Sequence, residues 1–265
     1  MFESDTRQQW PVRGNISING TWKDSFFQAC DKKSGNWIRH NSVKEAANFK
    51  IPNIKIDKKH RPRQGINTCG INKIMLFEKC GNESNMWLNG EGKKVNIDQR
   101  VMYPLITGKK FGYNSRINKW ALILHNTDTG KPMTLNEIKK YAGAEKYITK
   151  YQKELKGRKG ILIRSHIDKG FWWALLGVGK YSFCKYKVAW ESLGKKEFTP
   201  IIIKGHYQAN QSLHAFCPCD SYSEAIKIHN FLIDSSVSDW LNMSGMAGTC
   251  NWAQPGRIMK IMTLK

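Results

Sequence analysis

The sequence predicts an α+β fold, a mixed twisted sheet with flanking helices and long loops, on three observations. The run from Lys180 to Trp190, KYSFCKYKVAW, is dominated by aromatic and β-branched residues and follows the turn chemistry of Gly177-Val178-Gly179, so it reads as a strand. Between Thr134 and Gly157, and again between Ser221 and Asp234, apolar residues recur at helical spacing. Each stretch opens with a hydroxyl residue and has Glu three positions later, a capping-box pattern. Segments rich in Gly and Asn, such as Cys80 to Lys94, supply the loops between elements.

In chain order, Gly14 to Gly20 is a short alternating strand, Asp31 to Asn36 a polar loop and Val43 to Phe49 a helical turn or two. Residues 1–64 are expected to form a lead-in subdomain or the tail of an upstream domain, and 65–265 the main domain. From Lys50 the chain turns basic. Ile51, Ile54 and Ile56 are apolar anchors, and Lys58, Lys59, Arg61 and Arg63 then cluster around Pro62, which disfavours helix. Such an extended basic arm suits phosphate contact, and equally a solvated connection. Gly65 to Asn72 is a loop with small polar tips, and Ile74 to Phe77 a buried strand. Val101 to Lys110 is an apolar segment ending in a basic Gly turn, and Lys119 to His125 another strand.

In the first helical stretch Ile138, Tyr141, Ala142, Ile148, Tyr151 and Leu155 make the apolar stripe, and Gly143 divides it into two helices. Lys139, Lys140, Lys146, Lys150 and Lys153 point outward. Arg158-Lys159-Gly160 follows, then Ile161 to Arg164. Phe198 to Ile203 is a second strand of the sheet that holds Lys180 to Trp190, and Ala209 to Cys219 is loop and strand. The second helix buries Ala225, Ile228 and Leu232. A short helix around Trp240 and a strand from Ile258 to Ile261 close the chain.

Strand alternation sets Tyr181, Phe183, Lys185, Lys187 and Ala189 on one face and Ser182, Cys184, Tyr186, Val188 and Trp190 on the other. Two lysines on a face that begins with two aromatics fit a core strand whose polar end meets a polyanion. An edge strand guarded by lysines is the alternative.

Charge narrows the function classes. The 265 residues carry 43 Lys and Arg against 21 Asp and Glu, a formal charge of +22. So large an excess repels itself in the folded state and implies a polyanionic partner, nucleic acid first and an anionic membrane next. Ten Trp and nine Tyr suit stacking on bases, and equally a large core. No run approaches the ~20 apolar residues of a membrane span. The N-terminus MFESDTRQQW lacks a basic n-region and an apolar run, so no signal peptide is expected. Seven Cys without framework spacing suggest reduced thiols in the cytoplasm.

Catalytic motifs are sparse. Gly177-Val178-Gly179 is not G-x-G-x-x-G and opens no helix, no Walker lysine follows a glycine loop, and no Pro-Pro occurs. Glu137-Ile138-Lys139 and Glu154-Leu155-Lys156 carry the Glu-x-Lys of some Mg²⁺ nucleases, but on a helix, where Glu and Lys neighbours are ordinary surface chemistry. Cys217-Pro218-Cys219 with His206 and His214 lacks the paired knuckles of a zinc site and reads as buried thiols. No metal site is expected.

The order of several short motifs resembles a known family. Gly65-Ile66-Asn67-Thr68-Cys69-Gly70-Ile71-Asn72 is similar to a G-I-x-T-G-x-N opening with Cys69 inserted, and Tyr103 to Lys109 to a P-L-I-x-G-K/R turn. Tyr147 to Arg158 is similar to a helix ending in L-x-x-R. Trp173, Gly177 to Phe183, Lys185 to Val188 and Trp190 resemble a central strand. Ser223-Glu224-Ala225 and Leu232-Ile233-Asp234-Ser235 resemble a late helix closing in L-N-S, from which Asp234 departs. Together, from Gly65 onward, they resemble the C-terminal target-recognition (specificity) domain of adenine-N6 DNA methyltransferases of restriction–modification systems, the TaqI-like and type IIG group.

The resemblance implies a mixed α/β domain whose long loops read duplex DNA, non-catalytic by itself. Its implied partners are double-stranded DNA and an upstream catalytic methyltransferase or restriction domain or subunit. No cofactor is expected in this chain; the parent enzyme would use S-adenosylmethionine, or Mg²⁺ if it is a nuclease. Phosphate contacts are expected from Arg61, Arg63, Arg158, Lys159, Arg164, Lys180, Lys185 and Lys187. Base reading or stacking is expected from Asn67, Thr68, Asn72, Tyr181 and Tyr186. Two alternatives stand beside this: a restriction endonuclease with a Mg²⁺-dependent carboxylate site, and a general nucleic-acid-binding protein.

Overall fold

Residues 12–18, 20–29, 37–81, 83–106, 119–192, 198–210, 214–243 and 252–265 are described by a computed structural model. The first described elements form an antiparallel meander of β1 (Val12–Ile18), β2 (Thr21–Ala29) and β3 (Trp37–His40). Helix α1 (Val43–Asn48) follows, its N-cap Ser42 accepting the Glu45 N–H. Next come β4 (Ile54–Ile56), a 3₁₀ turn over Lys58–His60, β5 (Arg63–Gln64), α2 (Asn72–Met75), β6 (Leu76–Lys79), β7 (Met86–Asn89), β8 (Lys94–Asn96), β9 (Met102–Pro104) and β10 (Lys119–Leu122). A helical block holds α3 (Leu135–Ile138), α4 (Ala144–Lys150), α5 (Gln152–Lys156) and α6 (Ile161–Asp168). A 3₁₀ turn over Lys180–Phe183 leads to β11 (Tyr186–Glu191), β12 (Ile201–Lys204), β13 (His214–Cys219), α7 (Tyr222–Leu232), α8 (Ser235–Met243), α9 (Pro255–Ile258) and β14 (Met262–Leu264).

The α+β class holds, but the sheet is divided. Beyond the meander, the strands form β8-β7-β6-β10-β9, β12-β11-β13-β5 and a parallel β14-β4 pair. Residues 107–118 and the loop Asp31 to Asn36 lie outside the described residues, and with them the Thr107-Gly108-Lys109 end of the proline turn.

The five-stranded sheet and α3 to α5 share one core, with Phe77, Trp87, Ile97, Leu122, Ile138, Ile148, Leu155 and Trp173 all buried. Both halves of the Thr134–Glu137 capping box form. Gly143 breaks the helical stretch at φ 75°, where an added Cβ would stand 1.9 Å from the Asn96 carbonyl oxygen. A polar clasp ties helix to sheet: Asn89 Nδ2 donates to the hydroxyls of Tyr147 and Tyr151, and Tyr147 donates to the Ile74 carbonyl.

A second core lies under β11 and β13, where Val188, Trp190, Cys217 and Cys219 pack against Ala225, Ile228 and Leu232 of α7 and Trp240 of α8. Ile38 and Ile56 belong to this core, β5 is the fourth strand of its sheet, and β4 pairs with the C-terminal β14. Chain on the two sides of residue 64 is therefore packed together, β5 from the first side pairing with β13 from the second.

Local differences have physical causes. Ile74 and Met75 are both buried but sit in the short helix α2, and the strand starts at Leu76. Pro255 in the first turn of α9 carries a helix into Ile258, so the closing strand moves to Met262–Leu264. Tyr181 to Phe183 lie in the 3₁₀ turn, and β11 begins only at Tyr186.

Candidate nucleic-acid interface

The loop of residues 65–72 is held in place by backbone, and glycine makes that possible. Gly65 lies flat against Ala209, whose carbonyl oxygen would be 2.2 Å from an added Cβ. Ile66 N–H donates to Ala209 at 2.8 Å. Asn67 and Leu176 then exchange both backbone bonds, at 2.9 and 3.1 Å. This couples the loop to the Gly177-Val178-Gly179 turn, although more than a hundred residues separate them. Gly177 sits at φ 71° with its α-carbon over the Gly65 carbonyl oxygen, 2.4 Å from where a Cβ would stand.

Inside the loop the polar side chains serve one another. Asn67 Oδ1 accepts the Cys69 N–H at 2.7 Å, and the Thr68 hydroxyl donates to Asn72 Oδ1. Cys69 and Gly70 both take positive φ, 56° and 92°, so the loop tip is a left-handed reversal that a cysteine tolerates at a cost. Thr68 is buried, Asn67 half-buried and Asn72 exposed. Thr68 is thus corrected from a base contact to a strut that orients Asn72.

Seven of the eight expected cations separate into two groups. Arg61, Lys159, Arg164, Lys180 and Lys185 are exposed. Arg164 makes a surface pair with Asp168 at 3.2 Å, and Lys185 lies over the Tyr186 ring. Arg158 and Lys187 are buried, and the phosphate contacts expected of them are corrected. Arg158 donates to the carbonyls of Leu155, Ala174 and Trp172 at 3.0, 2.7 and 2.7 Å, so its fork fastens the end of α5 to the aromatic segment. Burial lowers its pKa to about 10. Lys187 is fully buried beside Phe216, with Nζ 3.4 Å from the Cys184 carbonyl oxygen, and burial lowers its pKa also. Its face of β11 is not the polar end of a surface strand. Tyr181, Ile203 and Tyr207 cover it.

Arg63 and Tyr181, expected to act separately, form one unit. The guanidinium carbon stands 4.6 Å over the ring, the ring leans on Phe216, and both residues are half-buried. Tyr186 is half-buried against Tyr222. Sequence reasoning missed Gln208, which is buried and donates to the carbonyls of Ser182 and His206, pinning the turn that presents Lys180. It also missed Gly130, where an added Cβ would meet the Lys180 nitrogen at 2.2 Å.

His125 braces the same junction. Nδ1 lies 3.0 Å from the Gly130 carbonyl oxygen and Nε2 accepts the Leu175 N–H at 3.2 Å, which requires the neutral ring with its proton on Nδ1. Burial lowers its pKa from the ordinary 6.5 to about 4. Between those values the unfolded chain binds the proton and the folded one does not. The stability contributed by the neutral ring is complete above pH 6.5 and falls as pH drops toward 4, by about 3 kcal/mol in all. Burial lowers His40 and His166 as well, so the measurement is the difference between the chain and His125→Gln, whose urea midpoint should fall less steeply from pH 7 to 5.

Among the nuclease and zinc candidates, Glu137 and the two cysteines have structural roles. Glu137 accepts the Thr134 N–H and hydroxyl as its capping partner, and Glu154 is exposed on α5. Cys217 and Cys219 are in the core, with burial raising the Cys219 thiol to about 12. Among the described residues no group of three or more His, Cys, Asp or Glu is arranged to hold a metal ion. No helix among them is long and apolar enough to cross a membrane. Neither known protein families nor curated proteins yield a match to this chain.

Proposed function

We propose that this chain is a sequence-specific reader of double-stranded DNA, non-catalytic by itself, that works with a methyltransferase or restriction domain of a restriction–modification enzyme. The observation that supports the reading most is the junction of the 65–72 loop with the 177–180 turn. These two motifs, remote from each other in the chain, are locked together by reciprocal backbone bonds and present Asn67, Asn72 and Lys180 from a rigid base. Rigid placement is what base-edge recognition needs, because an Asn pairs with adenine only in a narrow geometry. Arg61, Lys159, Arg164, Lys180 and Lys185 then serve as phosphate contacts that set register. Methyl transfer or strand cleavage, with S-adenosylmethionine or Mg²⁺, belongs to the partner domain.

Selection from random duplexes by the full chain is expected to yield a consensus. No consensus, with single-stranded RNA competing equally, would indicate a general polyanion binder instead. Lys180→Glu with Lys185→Glu is expected to weaken the selected duplex and to lower the salt slope by about two, since each lost phosphate contact removes about 0.9 from it. Equal affinity at two salt concentrations would remove both lysines from the interface. Calorimetry with S-adenosylmethionine should show no binding to this chain, and micromolar binding would contradict the division of labour.

A further inference from the structure

We propose that the first turn of α6 is a DNA wedge, in which Ile161 and Leu162 insert between stacked base pairs while the surrounding cations hold the backbone. The inference rests on the DNA-recognition reading and adds a deformation step to it. Ile161 is 90 % exposed and Leu162 71 % exposed, neighbours in sequence in the first turn of α6. Single exposed aliphatics are ordinary, but an adjacent pair this exposed leaves uncompensated apolar surface that a binding partner would cover.

The pair is mounted rigidly. Arg158, two residues before Gly160, is tied to three carbonyls; Gly160 turns the chain at φ 114°; and Arg164 N–H closes the first helical turn on the Gly160 carbonyl at 3.0 Å. Ile163 is fully buried and anchors the helix, so its two predecessors cannot fold inward without withdrawing it. A wedge has to be stiff, since mobile side chains would lose in ordering what insertion gains.

The surroundings select the occupant. Lys156, Lys159, Arg164 and Lys169 flank the pair in sequence and are all exposed, and the acid closest in sequence, Asp168, is paired with Arg164. An apolar protein surface would have to desolvate these charges, whereas a polyanion with an apolar interior matches both features. Stacked bases edged by phosphates are such a partner, and apolar side chains driven between base steps unstack and kink the duplex. Two aliphatics on an eight-residue helix make too small an apolar face to hold a membrane surface.

The test uses the full chain, the duplex it selects, and versions of that duplex with 2-aminopurine at successive positions. Expected is a several-fold fluorescence rise at one base step. Ile161→Ser with Leu162→Ser should abolish that rise and lower affinity about tenfold, with the salt slope unchanged. Both residues are exposed, so an unchanged urea midpoint checks that the variant folds. A duplex bound with no rise at any step, or an equal rise with the double variant, overturns the wedge and leaves DNA recognition standing. Failure to bind any duplex overturns both. Capture by phosphatidylserine vesicles that depends on Ile161 and Leu162 and is not competed by duplex would assign the pair to a membrane instead.

Discussion

Arg158→Ala is expected to lower the unfolding free energy by about 5 kcal/mol or more, because hydrogen bonds to a charged group contribute about 1.5–3 kcal/mol each and three buried carbonyls lose their donor together. A domain of this kind has roughly 5–15 kcal/mol in total, so the variant should be poorly folded at 37 °C. Arg158→Lys should recover only part of the loss, since a single ammonium cannot span carbonyls from Leu155, Trp172 and Ala174 as a planar fork does. Urea denaturation of the three proteins decides the matter. An unchanged midpoint for Arg158→Ala, with weakened duplex binding, would return this residue to the DNA surface and refute its structural role. The outcome matters for the L-x-x-R ending of the helix, which in this chain holds the aromatic segment in register and does not need a ligand to explain it.

Much of the architecture was legible because it depends on local rules. Both capping boxes form as the Ser/Thr and Glu spacing required, Gly143 breaks the helical stretch, and the β11–β12 pairing joins the two strands expected to share a sheet. Trp173, Phe183, Val188 and Trp190 are all buried. Alternation along β11 was also legible, with Lys187 and Ala189 on one face and Val188 and Trp190 on the other. What alternation cannot reveal is what covers each face. Lys187 lies over the ring of Phe216, which comes from β13 later in the chain, so its burial is a tertiary fact. Arg158 is similar: its acceptors are main-chain oxygens, which no side-chain pattern announces. The candidate site was legible as two separate motifs, and their meeting was not, because it is made by backbone pairing between residues 67 and 176.

The glycines of that meeting give the second large effect. Gly177→Ala should cost about 3 kcal/mol or more, the left-handed φ of 71° contributing about 1–2 kcal/mol and steric overlap the rest. The overlap is with main chain: the new Cβ would stand 2.4 Å from the Gly65 carbonyl oxygen, and neither partner is a side chain that can swing away. Relief requires the turn and the loop to separate, which breaks the paired bonds between Asn67 and Leu176 and moves the turn that leads into Lys180 away from the loop. Gly70→Ala is the control, because it carries a comparable positive φ of 92° with nothing within 4 Å of its added Cβ, and should show strain without separation. Affinity for random-sequence duplex, set mainly by exposed cations, should fall little in either variant. Preference for the selected consensus should collapse in Gly177→Ala and survive in Gly70→Ala. If Gly177→Ala keeps its preference while folding is intact, the junction does not position the reading residues, and recognition must come from another part of the surface.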